Sequence, residues 1–132
     1  PIVAHEYLGR EVNGKDVIIV DDMISSGESM IDVATNLKKQ GAKRIFVFTS
    51  FGLFCNGLGV FDDAYADGII DKIFTTNLIY RNPGLKQRAW YCEVDMSKYV
   101  SLLIDTLNHD DTISQLLNPV NKIEALVSKL DK

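Results

Sequence analysis

The chain has 132 residues, enough for one ordinary domain, with 46% apolar residues, 24% charged residues and a formal net charge of -4. That composition is typical of a soluble globular protein, and the acidic balance argues against a nucleic-acid or membrane surface, either of which needs a basic face. No apolar run approaches the roughly 20 residues of a membrane span, and there is no secretory signal.

Residues 1–15 are mixed and end in Asn13-Gly14-Lys15, a strong turn signal, so a short strand and turn are expected there. Val17–Val20 is a continuous apolar run, which predicts a strand covered on both faces. Met30, Val33, Ala34 and Leu37 recur at helical spacing, and Gly41 sits where that helix would end. Ile45–Phe48 is a second buried strand, which completes a strand–helix–strand unit whose crossover should be right-handed.

An aromatic and glycine-rich loop follows at Phe51–Gly59, then a short helix near Val60–Ala66. Lys72–Thr75 reads as a third strand, Asn82-Pro83-Gly84 as a turn, and Trp90–Val94 as a fourth strand with alternating side chains. Ser97 is a candidate cap for a helix with Val100, Leu103, Ile104 and Leu107 on one face. A helical turn carrying Ile113, Leu116 and Leu117 comes next. Asn118-Pro119 then starts a final helix bearing Ile123, Leu126, Val127 and Leu130. The order predicts one α/β domain over residues 1–132, a mainly parallel sheet flanked by helices on both faces.

Cys55 and Cys92 have no metal-ligand spacing and read as reduced thiols of a cytoplasmic protein, although sequence alone leaves a disulfide open. The chain begins at Pro1 and its first clear strand already stands at a candidate site, so a fragment of a longer protein is expected.

The chemistry concentrates in residues 17–29, where the buried strand runs into Asp21 and Asp22, then Ser25, Ser26 and Gly27, then Glu28 and Ser29 at a helix start. In an open α/β sheet, ligands sit outside the carboxyl ends of the strands. A helix N-terminus offers N–H groups and partial positive charge, so a phosphate belongs there. Serine hydroxyls add donors, and Gly27 permits close approach and any positive φ. The carboxylates would repel that phosphate and suit another part of the ligand: sugar hydroxyls, or Mg²⁺ held partly through water. Together these imply a pentose phosphate. A serine cap alone is common, but two adjacent acids directly after a buried strand are rarer. There is no Gly-x-Gly-x-x-Gly and no P-loop Gly-Lys-Ser/Thr.

Residues 17–29 resemble the phosphoribosyl diphosphate signature shared by type I phosphoribosyltransferases and ribose-phosphate diphosphokinases. Glu28 stands at its variable position, which requires that carboxylate to point outward. Ser25 stands where many diphosphokinases have Asp. Residues 41–50 and the strand ending in Thr76-Asn77 resemble the diphosphokinases, as do the helix at 97–108 and the tail. The regions Asn56–Gly68 and Tyr80–Arg88 diverge.

The resemblance implies the C-terminal half of an enzyme that moves the diphosphoryl group of ATP to ribose 5-phosphate, giving 5-phosphoribosyl 1-diphosphate and AMP, with Mg²⁺. It implies that Asp21, Asp22, Ser25, Ser26, Gly27, Glu28 and Ser29 bind ribose 5-phosphate, with Asp21 and Asp22 as possible Mg²⁺ ligands. It further implies a missing N-terminal half that supplies much of the ATP site, a homo-oligomer, and a fragment inactive by itself.

Two other readings compete: a nucleobase phosphoribosyltransferase, which needs a hood and a base-binding segment, and a non-catalytic regulatory relative. Several residues have simpler roles. His5 and His109 read as surface or capping histidines, and Asp110-Asp111-Thr112 as an N-cap cluster rather than a metal site. Thr75-Thr76-Asn77 reads as a polar strand end on the same edge as the signature, and Trp90 and Tyr91 as core or interface. Phe51, Leu53 and Phe54 read as core or as a contact surface.

Overall fold

The structure, a computed structural model, describes residues 11–130. The expected first strand and His5 lie outside those residues. The chain divides into two compact units, residues 1–95 and residues 96–132.

The first unit is a four-stranded sheet in the order β1-β2-β3-β4, every neighbouring pair parallel. The strands are β1 (Asp16–Ile24), β2 (Arg44–Gly52), β3 (Lys72–Thr76) and β4 (Tyr91–Val94). The helices α1 (Glu28–Lys39) and α2 (Gly59–Ala66) fill the first two crossovers. A 3₁₀ helix at Pro83–Gln87 replaces the expected simple turn, started by Asn82, whose Oδ1 accepts the Gly84 N–H at 2.9 Å.

The core lies on one side of this sheet. Ile45, Val47 and Ile73 have no exposed surface, and they pack in one cluster with Met30, Ala34 and Leu37 of α1 and Phe61 and Ala64 of α2. The period of α1 thus produces the buried stripe that its sequence predicts, with Val33 packed at its margin. Gly41, at φ 88, ends the helix as expected. Its neighbour Ala42 donates its N–H back to the Leu37 carbonyl at 3.1 Å.

The opposite face corrects the expectation for Val17–Val20. Ile18 is 62% exposed and Val20 78% exposed, because alternate side chains of β1 face away from the core that α1 and α2 cover. A continuous apolar run signals strand but does not reveal which face is covered. Phe48 shares this outer face and stacks on Phe74 with ring centroids 4.4 Å apart.

Aromatic residues close the core near the carboxyl edge. Phe54 meets Phe61 edge-on at 4.9 Å, and Phe61 lies 5.5 Å from Trp90. Trp90 precedes β4 and is buried, as is Tyr91, whose hydroxyl is 3.0 Å from Thr75 Oγ1. Of the apolar loop, Phe54 is core whereas Phe51 and Leu53 are exposed.

The second unit holds α3 (Ser97–Asn108), α4 (Ser114–Leu117) and α5 (Val120–Val127). Met96, not Ser97, takes the N-cap position of α3. Pro119 takes that of α5, while Asn118 Oδ1 accepts the Val120 N–H at 3.1 Å. The Asp110-Asp111-Thr112 cluster caps no helix through its acids. Ile113 is the N-cap of α4, and Thr112 Oγ1 accepts the Ser114 N–H at 3.4 Å. His109 is the C-cap of α3, its Nδ1 2.9 Å from the Asp105 carbonyl. The apolar stripe of α5 is exposed at Ile123 and Leu126. No helix among the described residues is long and apolar enough to cross a membrane.

Candidate sugar-phosphate site

Asp21 and Asp22 lie within β1, which continues through Met23 to Ile24 before the chain turns. Both acids are exposed at the carboxyl part of the sheet, where Asp21 pairs in register with Thr49 of β2. The Asp21 carboxylate accepts the N–H of Asp22 at 2.8 Å, which orients the first acid along the strand edge.

Ser25, Ser26 and Gly27 then turn the chain into α1. Gly27 is the N-cap residue, with φ 90 and no side-chain capping bond, so neither Ser26 nor Ser29 serves as the cap. Two separate constraints demand glycine here. The positive φ is a conformation that L side chains rarely adopt. In addition, a Cβ at this position would lie 2.1 Å from Cζ of Phe61. The turn therefore sits directly on the aromatic core.

The β2–α2 connection pins the loop from the other side. Leu53 donates its N–H to the Ile24 carbonyl at 2.8 Å, and Cys55 donates its own to the Ser25 carbonyl at 2.9 Å. Ser25 Oγ in turn donates to Cys55 Sγ at 3.6 Å. No motif marks this clasp by Cys55 or the aromatic floor under Gly27. A lone glycine directly before a helix is the one local signal near either.

The structure thus brings the acid pair, the serine–glycine turn and the α1 N-terminus to one edge. Glu28 opens the helix and is exposed. Ser25 and Ser29 are exposed, Ser26 is half-buried and Gly27 is buried. Thr76 stands on the same edge, its hydroxyl donating to the Ser50 carbonyl, and Asn77 Nδ2 donates to Asp95 Oδ1 at 2.7 Å. Both cysteines are free thiols.

A parallel sheet with adjacent acids and a glycine turn at its carboxyl edge defines a phosphoribosyltransferase-like α/β protein. Residues 7–118 match the family described as phosphoribosyl synthetase-associated domain, and the chain belongs to that family. It is 31% identical over 113 residues to the ribose-phosphate pyrophosphokinase of Mycoplasmopsis pulmonis, an alignment covering 84% of this chain and 34% of that protein. The enzyme of the same name from Pyrococcus abyssi is 53% identical over 47 residues, covering 36% of this chain and 16% of the relative. Among solved structures, the phosphoribosylpyrophosphate synthetase of Mycobacterium smegmatis superposes with a TM-score of 0.67 at 19% identity, over 77% of this chain and 33% of that one. That likeness establishes the shared fold. The chain spans about one third of the length of the first of these relatives.

Proposed function

We propose that this chain forms the ribose 5-phosphate half of an active site that transfers the diphosphoryl group of ATP to the sugar's 1-hydroxyl, giving 5-phosphoribosyl 1-diphosphate and AMP. The observation that carries this reading is the placement of Asp21 and Asp22 beside a serine–glycine turn that opens α1 at the carboxyl edge. The relatives' name, ribose-phosphate pyrophosphokinase, supports it.

In this reading the α1 N-terminus and the hydroxyls of Ser25, Ser26 and Ser29 hold the 5-phosphate. Gly27 brings the backbone close to it, and Glu28 points away. Asp21 and Asp22 accept hydrogen bonds from the ribose hydroxyls and fix the direction of the 1-hydroxyl. This positioning is the larger part of such a transfer, because the transferred group is already activated.

The acid pair also fits Mg²⁺. No three His, Cys, Asp or Glu side chains converge on a metal position among the described residues. That suits an ion held by one or two carboxylates with water and substrate oxygens completing the shell. When bound, Mg²⁺ would neutralise charge on the phosphates. The ATP-binding groups would come from polypeptide corresponding to the remaining two thirds of the relatives' length. The working enzyme would be a cytoplasmic homo-oligomer.

Isothermal titration of the chain with ribose 5-phosphate in Mg²⁺ is expected to show binding that Asp22→Ala weakens about tenfold, the loss of one charged hydrogen-bond acceptor. With ATP added, the chain alone should release no AMP. Robust product formation by the isolated chain would contradict the half-site reading.

A further inference from the structure

Phe54 has a left-handed backbone, at φ 51, although it is neither a glycine nor exposed. That conformation is strained for a bulky residue and persists only where its surroundings impose it. Here the ring is held by Phe61 at 4.9 Å, Trp90 at 6.0 Å and Tyr91 at 6.4 Å. The hydrogen bonds on either side of Phe54 show what the strained residue does. Leu53 donates to the Ile24 carbonyl and Cys55 to the Ser25 carbonyl. The donors advance by two residues while the acceptors advance by one, so Phe54 is an extra residue in the pairing, as in a β-bulge. Bulges beside functional sites re-aim a side chain, and the side chain re-aimed here is that of Cys55.

The Cys55 thiol meets Ser25, whose Oγ donates to Sγ at 3.6 Å across 30 positions of sequence. Both residues are exposed, so no packing holds the Ser25 hydroxyl, and an exposed serine otherwise samples three staggered rotamers. A phosphate requires donors, and in the free loop the Ser25 proton is committed to sulfur. A thiol is a weak donor as well as a weak acceptor. When a phosphate oxygen takes the Ser25 proton, the Cys55 S–H can donate to Ser25 Oγ in its place. The pair stays bonded in both states, and the hydroxyl stays at the turn.

We infer that Cys55 is a positioning residue for the phosphate, acting through Ser25 and not on the substrate itself. This rests on the proposed reading of residues 25–29 as the phosphate loop. The strained Phe54 sets the sulfur in place, the sulfur fixes one Ser25 rotamer, and the loop meets its ligand with that hydroxyl already ordered.

Titration calorimetry with ribose 5-phosphate in Mg²⁺ tests this on the native chain, Cys55→Ala, Cys55→Ser, Ser25→Ala and Ser25→Ala/Cys55→Ala. Cys55→Ala should weaken binding about threefold, the effect of one weak hydrogen bond. Cys55→Ser keeps a donor and an acceptor and should bind within about twofold of the native chain. On the Ser25→Ala background, Cys55→Ala should change nothing further, because its effect passes through that hydroxyl. An equal loss with and without Ser25, as a cysteine that only supports the fold would give, overturns the inference. So does native affinity in Cys55→Ala, or a Cys55→Ser protein as weak as Cys55→Ala. Three-bond couplings to the Ser25 β-protons test the clasp without ligand. They should report one χ1 rotamer in the native chain and averaging in Cys55→Ala, and averaging in the native chain also overturns the inference. Absence of ribose 5-phosphate binding by the native chain contradicts the proposed function instead, and the couplings then decide the clasp by themselves.

Discussion

Gly27 and Phe61 touch across the base of the loop, with no space between them for even one methyl group. The loop that would hold a phosphate is therefore built directly on the aromatic core, and its shape depends on residues far along the chain. Gly27→Ala combines backbone strain at φ 90 with overpacking against the ring. It should destabilise the chain by about 3 kcal/mol, read from the urea midpoint at unchanged slope. Adding Phe61→Leu should recover part of that loss, because it relieves the clash and leaves the strain. A fully additive double mutant would show that ring and glycine do not interact.

Asp62 ties the start of β4 to α2. It accepts the Trp90 indole N–H at 2.7 Å and both of its oxygens accept from Arg88 Nε, at 3.0 and 3.1 Å. The Trp90 indole, and after it the Arg88 guanidinium, hold the Asp62 carboxyl below the ordinary carboxylate range against the opposing effect of burial. A depressed folded pKa stabilises the fold above the unfolded-state pKa, and that contribution is lost as pH falls through the folded value. Asp62→Asn should therefore cost about 1 kcal/mol near neutral pH and flatten the decline of stability on the acid side. Parallel acid limbs for the two proteins would remove Asp62 from the account.

Thr49 Oγ1 is buried with no hydrogen-bond partner among the described residues. An unpaired buried hydroxyl is unfavourable, and valine has nearly the same shape. Thr49→Val should raise stability by about 1 kcal/mol in thermal or urea unfolding. A comparable loss would mean that the hydroxyl is paired in solution.

Cys55 is exposed beside Ser25, while Cys92 is half-buried in β4. A thiol-specific reagent should modify Cys55 first and Cys92 more slowly, because access limits the reaction. Ribose 5-phosphate in the loop should slow the Cys55 step and leave the Cys92 step unchanged. Equal protection of both thiols, or of neither, would place the ligand away from this loop.

Most of the fold could be read from the chain because its signals are local. Branched apolar runs at Val17 and Ile45, the helical stripe from Met30 to Leu37, and Gly41 at the helix end each act over a few residues. The acid pair and the glycine turn were legible for the same reason. What escaped was set by long-range packing. The exposure of Ile18 and Val20 follows from the helices α1 and α2 covering the other face of the sheet, which no local pattern encodes. The ring of Phe61 under Gly27 and the Cys55 clasp on Ser25 join residues about 30 positions apart.

Residues 21–29 are proposed to form one ligand site. Backbone amide NMR of the ¹⁵N-labelled chain, titrated with ribose 5-phosphate in Mg²⁺, tests it most directly. Shifts concentrated on Asp21, Asp22 and Ser25–Ser29, and abolished by Asp22→Ala, are the predicted result. Shifts confined to other elements, or an unchanged spectrum at saturating ligand, would contradict it.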